Sequence, residues 1–273
     1  MRETAYAKIN LALHVRACEP GGYHRIETIF AFAEDGDELT VAEGDGLSLA
    51  VTGPFAGALA GESDNLVLRA ARALADRAGI EPAAALTLDK RLPVASGIGG
   101  GSADAAASLR LLRRFWKLDI EDADLRAIAA GLGADVPACL ASRTMRGEGR
   151  GDELTPIDLP GLAGAPLLLV NPRIALATAP VFKAWDGVDR GPLIDWKTGR
   201  NDLEAAARAL VPEIGAVLDA LAGAKVARMS GSGATCFGLY ESESARDAAF
   251  HDMQARHPGW WIFASRLRPE KTT

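Results

Sequence analysis

The chain has 273 residues, long enough to bury a large core without disulfide or metal staples. Its 48% hydrophobic and 24% charged residues are those of a globular protein, which excludes a disordered chain and a coiled coil. A formal net charge of −6 repels phosphate backbones and excludes non-specific nucleic-acid binding as a function.

Taken in chain order, TAYAKINLALHV alternates. Ala5, Ala7, Ile9, Leu11, Leu13 and Val15 point one way, and Tyr6, Lys8, Asn10 and His14 the other, which predicts a half-buried strand with a polar face. A Pro20-Gly21-Gly22 turn precedes Tyr23 and His24, after which RIETIFAFAE, DELTVAE and LSLAV read as further strands separated by Gly and Asp. NLVLRAARALADRAG carries apolar residues at helical spacing, with Asp64 as the expected N-cap and Gly79 as the stop. A short strand, ALTLDKRLP, leads into PVASGIGGGSADAAASLRLLRRFW, a glycine loop opening a helix. Residues 121–132 predict another helix, GADVPACLAS follows, and residues 143–158 read as a hairpin. The rest reads as strand PLLLVNP, helices around 178–186, 201–210 and 212–222, strand KVARMS, a second glycine turn, strand ATCFGLY, a helix around 243–256 and strand WWIFASRL. No linker is long or polar enough to separate independent domains, so two lobes sharing a cleft are expected.

Glycine is the compositional excess, at 29 residues, and it peaks at Gly97, Gly99, Gly100 and Gly101. Between a strand and a helix, such a loop lets backbone N–H groups converge on an anion without obstruction by Cβ atoms, and the helix dipole adds positive potential. No Gly-Lys-Ser/Thr completes a Walker motif, and Ser102 stands where the dinucleotide fingerprint needs its third small residue. A bland alternative is a flexible helix entry capped by Ser102. The second cluster, Ser230 to Thr235, offers more unhindered N–H groups or is simply a hairpin turn.

Lys8 and Asn10 share a strand face, where they either steer a phosphate or hydroxyl or form a solvated edge. Asp135, after Gly133-Ala134 and before Val136-Pro137, is either a helix N-cap or a carboxylate that orients an attacking hydroxyl. Tyr23 and His24 project from a turn, where they could stack on and hydrogen-bond a planar base. The four histidines and three cysteines lack metal-ligand spacing, so no protein-ligated metal is expected. The odd cysteine count and the absence of a signal-peptide layout at Met1-Arg2-Glu3-Thr4 predict a cytoplasmic protein without a membrane partner.

The order of AKINLALHV, GGYH, PVASGIGGGSADAAASL, GADVPA and MSGSGATCFGLY resembles the GHMP small-molecule kinases, over essentially the whole chain. The resemblance implies an α+β, two-lobed fold. Its N-terminal ribosomal-protein-like lobe spans 1–155, its C-terminal ferredoxin-like lobe spans 156–273, and the active site occupies the cleft between them. It implies ATP bound at Pro93, Val94, Ala95, Ser96, Gly97, Ile98, Gly99, Gly100, Gly101, Ser102 and Ala103, with Asn65 opening the adenosine-side loop. Mg²⁺ is expected to be held mainly through the nucleotide phosphates. Asp135 matches the family's catalytic aspartate and Lys8 the lysine that polarises the acceptor hydroxyl. The A-K-I-N-L, G-Y-H and G-A-D-V-P motifs look most like those members that phosphorylate the 2-hydroxyl of a cytidine-diphosphate-linked methylerythritol in non-mevalonate isoprenoid synthesis. That implies a small-molecule cytidine diphosphate substrate held by Asn10, Tyr23, His24, Thr178, Phe182, Gly231 and Ser232. Lys90 and Arg91 near the cleft are further candidates, with Lys8, for the local positive potential that a polyanion needs. A monomer or weak homodimer is expected. Alternatives are a family kinase for homoserine, mevalonate or a sugar, and a noncatalytic nucleotide-binding protein. Ala103 and Asp104 stand where the family often carries a second serine and then Asp or Asn.

Overall fold

The computed structural model describes residues 1–61 and 64–269. Two compact units draw on interleaved stretches of chain. The first takes Met1–Ala7, Asp35–Val94 and Gly99–Ser142; the second takes Lys8–Glu34, Ala95–Ile98 and the chain from Arg143 onward. Strands β1 (Arg2–Cys18) and β2 (His24–Ala42) contribute to both and pair with each other.

In the first unit, β4 (Ala84–Asp89) lies parallel to β3 (Leu47–Thr52) and antiparallel to residues 38–42 of β2. The break expected at Asp35-Gly36-Asp37 is absent, and β2 runs through it. A Cβ on Gly36 would fall 1.9 Å from the Ala5 carbonyl oxygen, so the glycine permits close strand approach there and makes no turn. Helices α1 (Leu66–Ala78), α2 (Gly100–Phe115), α3 (Asp122–Leu132) and α4 (Val136–Ala141) complete this unit. Small buried residues of α2, Ala103 and Ala105 to Ala107, allow tight packing, and the Ser108 hydroxyl donates to Val67 O of α1 at 3.1 Å. The N-cap of α1 is Asn65 and not the expected Asp64: Asn65 Oδ1 accepts from Val67 N at 2.9 Å. Gly79 ends the helix with φ 66°, as expected.

In the second unit, β7 (Pro166–Asn171), β8 (Val226–Met229), β9 (Cys236–Leu239) and β10 (Trp261–Arg266) form an antiparallel sheet ordered β10-β7-β9-β8. Helices α5 (Thr178–Lys183), α6 (Glu204–Leu210) and α7 (Glu213–Ala220) lie between β7 and β8 in the chain, and α8 (Glu243–Arg256) between β9 and β10. The resulting β-α-β-β-α-β order is the split βαβ pattern of the ferredoxin-like lobe. The expected hairpin is β5 (Met145–Glu148) with β6 (Glu153–Pro156), and β5 pairs with residues 28–30 of β2. Leu168, Val170, Val181, Ile214, Val217 and Met253 join one buried cluster. Each such side chain contributes about 1.5–3 kcal/mol on full burial.

The polar face expected for β1 is buried: Lys8 is 4% exposed, Asn10 2% and His14 2%. Burial demands partners. For His14 they are structural: its Nε2 accepts from Arg200 N and its Nδ1 donates to Gly191 O at 3.1 Å. Among the described residues no helix is long and apolar enough to cross a membrane.

Candidate active site

In the first unit the glycine loop delivers the chain into α2 through Gly99, the N-cap, whose φ of 64° places it in the left-handed region. No side chain caps this helix, and Ser102 lies inside its first turn. The first-turn N–H groups are thus left to the surroundings, as an anion-binding helix entry requires. Asn65 spends its Oδ1 on capping α1. Asp135 occupies the N-cap position of α4 with Pro137 in the first turn, yet its carboxylate makes no capping hydrogen bond. Lys90 is not the open cation expected. It is 1% exposed and bonded to both Asp37 and Asp104, so its charge is neutralised within the unit. Arg91 pairs with Asp89 at 2.6 Å on the surface.

In the second unit the rest of the loop is fastened by its backbone. Thr235 N donates to Ser96 O and Lys8 N to Ile98 O, both at 3.1 Å, while the Ser230 hydroxyl donates to Gly97 O at 2.9 Å. Gly97 has φ 78°, and a Cβ on it would lie 2.4 Å from Ser230 O. A Cβ on Gly231 would lie 2.7 Å from Gly97 O. The two glycine clusters seen in the sequence therefore pack backbone to backbone, which is one physical reason for both. Ser230 to Thr235 is the hairpin turn between β8 and β9, and Asn201 Nδ2 clasps it by donating to Met229 O and Gly231 O, each at 2.8 Å.

Lys8 and Asn10 meet as their spacing predicts: Lys8 Nζ donates to Asn10 Oδ1 at 3.2 Å and lies 4.9 Å from the centre of the Phe30 ring. Asn10 is itself held. Its Nδ2 donates to Thr28 Oγ1 at 2.8 Å, Thr28 Oγ1 donates to Ala12 O at 2.7 Å, and Asn10 N donates to Ser230 Oγ at 3.1 Å. The lysine ammonium is thus held on a rigid, largely dry frame, where a positive charge acts more strongly than in water.

Tyr23 and His24, adjacent in the chain, have separate neighbours. Tyr23 is 55% exposed and carries the Arg150 guanidinium 3.7 Å above its ring. His24 packs against Phe182 at 4.9 Å and edge-on to Trp185 at 5.6 Å between ring centres. Burial lowers the His24 pKa, outweighing a hydrogen bond with the Gly22 backbone that raises it, so the imidazole is neutral at neutral pH and presents one donor and one acceptor. Thr178 and Ser232 hydroxyls lie 3.0 Å apart.

Sequence reading missed Thr28, Asn201, Arg150, Trp185 and the Asp37–Lys90–Asp104 cluster. Trp185 had one visible signal, its place one helical turn after Phe182. The others are joined to their partners across long stretches of chain, which no local pattern reveals.

Two family models match: GHMP kinases N terminal domain over residues 65–143, and GHMP kinases C terminal over residues 189–259. A 4-diphosphocytidyl-2-C-methyl-D-erythritol kinase of Rhizorhabdus wittichii is 59% identical, covering 97% of this chain and 94% of its own. The protein of the same name from Sphingopyxis alaskensis is 50% identical, covering 98% and 99%. Among solved structures, a 4-(cytidine 5'-diphospho)-2C-methyl-D-erythritol kinase superposes with TM-score 0.85 at 31% identity, over 99% of this chain and all of that one. A homoserine kinase from Cytophaga hutchinsonii, with TM-score 0.71 at 19% identity over 97% and 96%, shares the fold. The α+β, two-lobed architecture, the glycine loop opening α2 and near-full-length identity of this order lead to one assignment: the chain belongs to the GHMP kinase family.

Proposed function

We propose that the chain transfers the γ-phosphoryl group of ATP to the 2-hydroxyl of 4-diphosphocytidyl-2-C-methyl-D-erythritol, a step of non-mevalonate isoprenoid synthesis. The observation that carries this reading is the aromatic group at the start of β2 and in and just after α5, neutral His24 against Phe182 and Trp185. Homoserine and mevalonate have no base for such a group to stack on. A neutral imidazole suits the uncharged donor and acceptor edge of cytosine, and Thr178 with Ser232 adds hydroxyls for the substrate's polar groups.

Phosphoryl transfer asks the protein for positioning and charge stabilisation more than for covalent chemistry. The glycine loop and the uncapped start of α2 bind the ATP phosphates through N–H groups. Lys8, aimed by Asn10, polarises the acceptor hydroxyl and steadies the charge that develops on it. Asp135 accepts the hydroxyl proton. Because the chain is acidic overall and Lys90 is neutralised, the positive potential for a polyanion is local, made of backbone N–H groups and Lys8.

The described side chains do not form a cage for Mg²⁺. Among the described residues no cluster of three or more His, Cys, Asp or Glu could hold a metal, and Asp104, the carboxylate nearest the loop in sequence, is engaged by Lys90. Mg²⁺ is proposed to arrive with the nucleotide, on phosphates and water, neutralising charge there. The enzyme is proposed to work in the cytoplasm without a membrane or nucleic-acid partner, as a monomer or weak dimer. The test is the product. Incubation with ATP, Mg²⁺ and the cytidyl substrate is expected to yield a product with one additional phosphate, whose phosphorus couples to the tertiary carbinol carbon in NMR; an added phosphate at another position contradicts the assignment.

A further inference from the structure

Asp37, Lys90 and Asp104 form a buried ionic cluster, 0%, 1% and 3% exposed, to which phosphate binding and proton transfer assign no role. Their chain positions matter. Lys90 follows β4, at the stem by which the chain enters the glycine loop. Asp104 is the fifth residue of α2, the stem by which it leaves. Lys90 Nζ donates to Asp104 Oδ2 at 2.8 Å and makes a very short bond to Asp37 Oδ2. The other Asp37 oxygen accepts from Arg91 N at 2.6 Å and Leu92 N at 2.8 Å. The ammonium lies directly beneath the start of α2, for a Cβ on Gly100 would stand 3.1 Å from Nζ.

Stability does not explain this cluster. Taking charges out of water is costly, and well-packed apolar residues often serve a core as well or better. Two carboxylates on one ammonium also leave Asp104 Oδ1 buried without a hydrogen-bond partner and put surplus negative charge under a helix entry that binds a polyanion. What the arrangement supplies is a bridge between both stems of the loop, made of bonds that fix distance and direction.

We propose that Lys90, tied to Asp37 and Asp104, is a positioning residue that sets the spacing of the two loop stems and thereby aims the N–H groups at the ATP phosphates. This rests on the nucleotide reading of the loop. Asp104→Ala cuts one end of the bridge and leaves the Lys90–Asp37 pair intact and charge-balanced; Asp104→Asn keeps an acceptor for Nζ. In calorimetric titration of the full chain with ATP and in steady-state kinetics, the Ala variant is expected to raise both Kd and KM for ATP about tenfold, the scale of one lost charged hydrogen bond. KM for the cytidyl substrate is expected to stay unchanged, and the Asn variant to restore ATP affinity. If Asp104→Ala does not fold, Asp104→Ser, polar but too short to reach Nζ, carries the same expectation.

A fall in melting temperature with unchanged ATP affinity makes the cluster merely structural and overturns the proposal. Tighter ATP binding in both the Ala and Asn variants makes charge, not geometry, the determinant, and also overturns it. Wild-type protein that binds no ATP overturns the nucleotide reading and the bridge together, whereas an active wild type insensitive at position 104 overturns the bridge alone.

Discussion

At the scale of single residues, proton transfer separates from binding. Asp135 stands at the N-cap position of α4, where its side chain makes no capping hydrogen bond. Asp135→Asn is expected to lower kcat by about 10²–10⁴ with little change in ATP affinity, the usual range for an acid–base contribution. An unchanged kcat removes Asp135 from the reaction. For His24 the sign follows from its lowered pKa: the ring stays neutral to a pH below histidine's ordinary 6.5 and gains charge only on further acidification. The KM for the cytidyl substrate is therefore expected to hold steady through neutrality and to rise only on the acid side. A rise on the alkaline side contradicts a neutral imidazole as the binding form. Residue types and spacing made Lys8 with Asn10 legible, since period-two geometry puts both on one strand face. Burial of that face was not legible, because Thr28 and Ser230, which satisfy Asn10, lie far off in the chain.

At the scale of elements, the glycine loop divides into positions with different work. Gly97 has φ 78° and no room for a Cβ, while Gly101 would place a Cβ at an ordinary 3.5 Å from Leu66. Gly97→Ala is expected to destabilise the protein by about 1–3 kcal/mol, read as a lowered melting temperature, because strain and overlap fall on backbone that cannot move aside. Gly101→Ala is expected to leave the melting temperature in place. Equal effects on melting contradict the division. Helix α1 was readable because its apolar face, Val67, Ala70, Ala71 and Leu74, repeats at helical spacing and is buried. The Asp35-Gly36-Asp37 stretch misled, since a glycine that relieves strand crowding and a carboxylate that buries itself on Lys90 look locally like a turn.

At the scale of the whole molecule, the −6 charge and the buried cluster tie stability to pH. Burial first, and then the neighbouring Asp37 carboxylate, push Asp104 up to about 7 against the attraction of Lys90, whose own pKa the two carboxylates raise despite its burial. A carboxyl whose pKa is raised on folding contributes stability that is full below its ordinary 3.8 and is lost as pH rises through about 7. Asp104→Asn is therefore expected to gain in melting temperature relative to wild type between pH 5 and pH 8; a relative loss contradicts the assigned shift. The two-lobed architecture was legible because its motifs keep their order along the chain, and the ferredoxin-like order of the second unit bears out that expectation. The interleaving of the two units was not, since β1 and β2 contribute to both without any break in pattern. Substrate choice is read from ADP release by purified protein with ATP and Mg²⁺, measured side by side with 4-diphosphocytidyl-2-C-methyl-D-erythritol, homoserine and mevalonate. Release that depends on the cytidyl substrate alone is the predicted result; release with homoserine or mevalonate and none with the cytidyl substrate contradicts it.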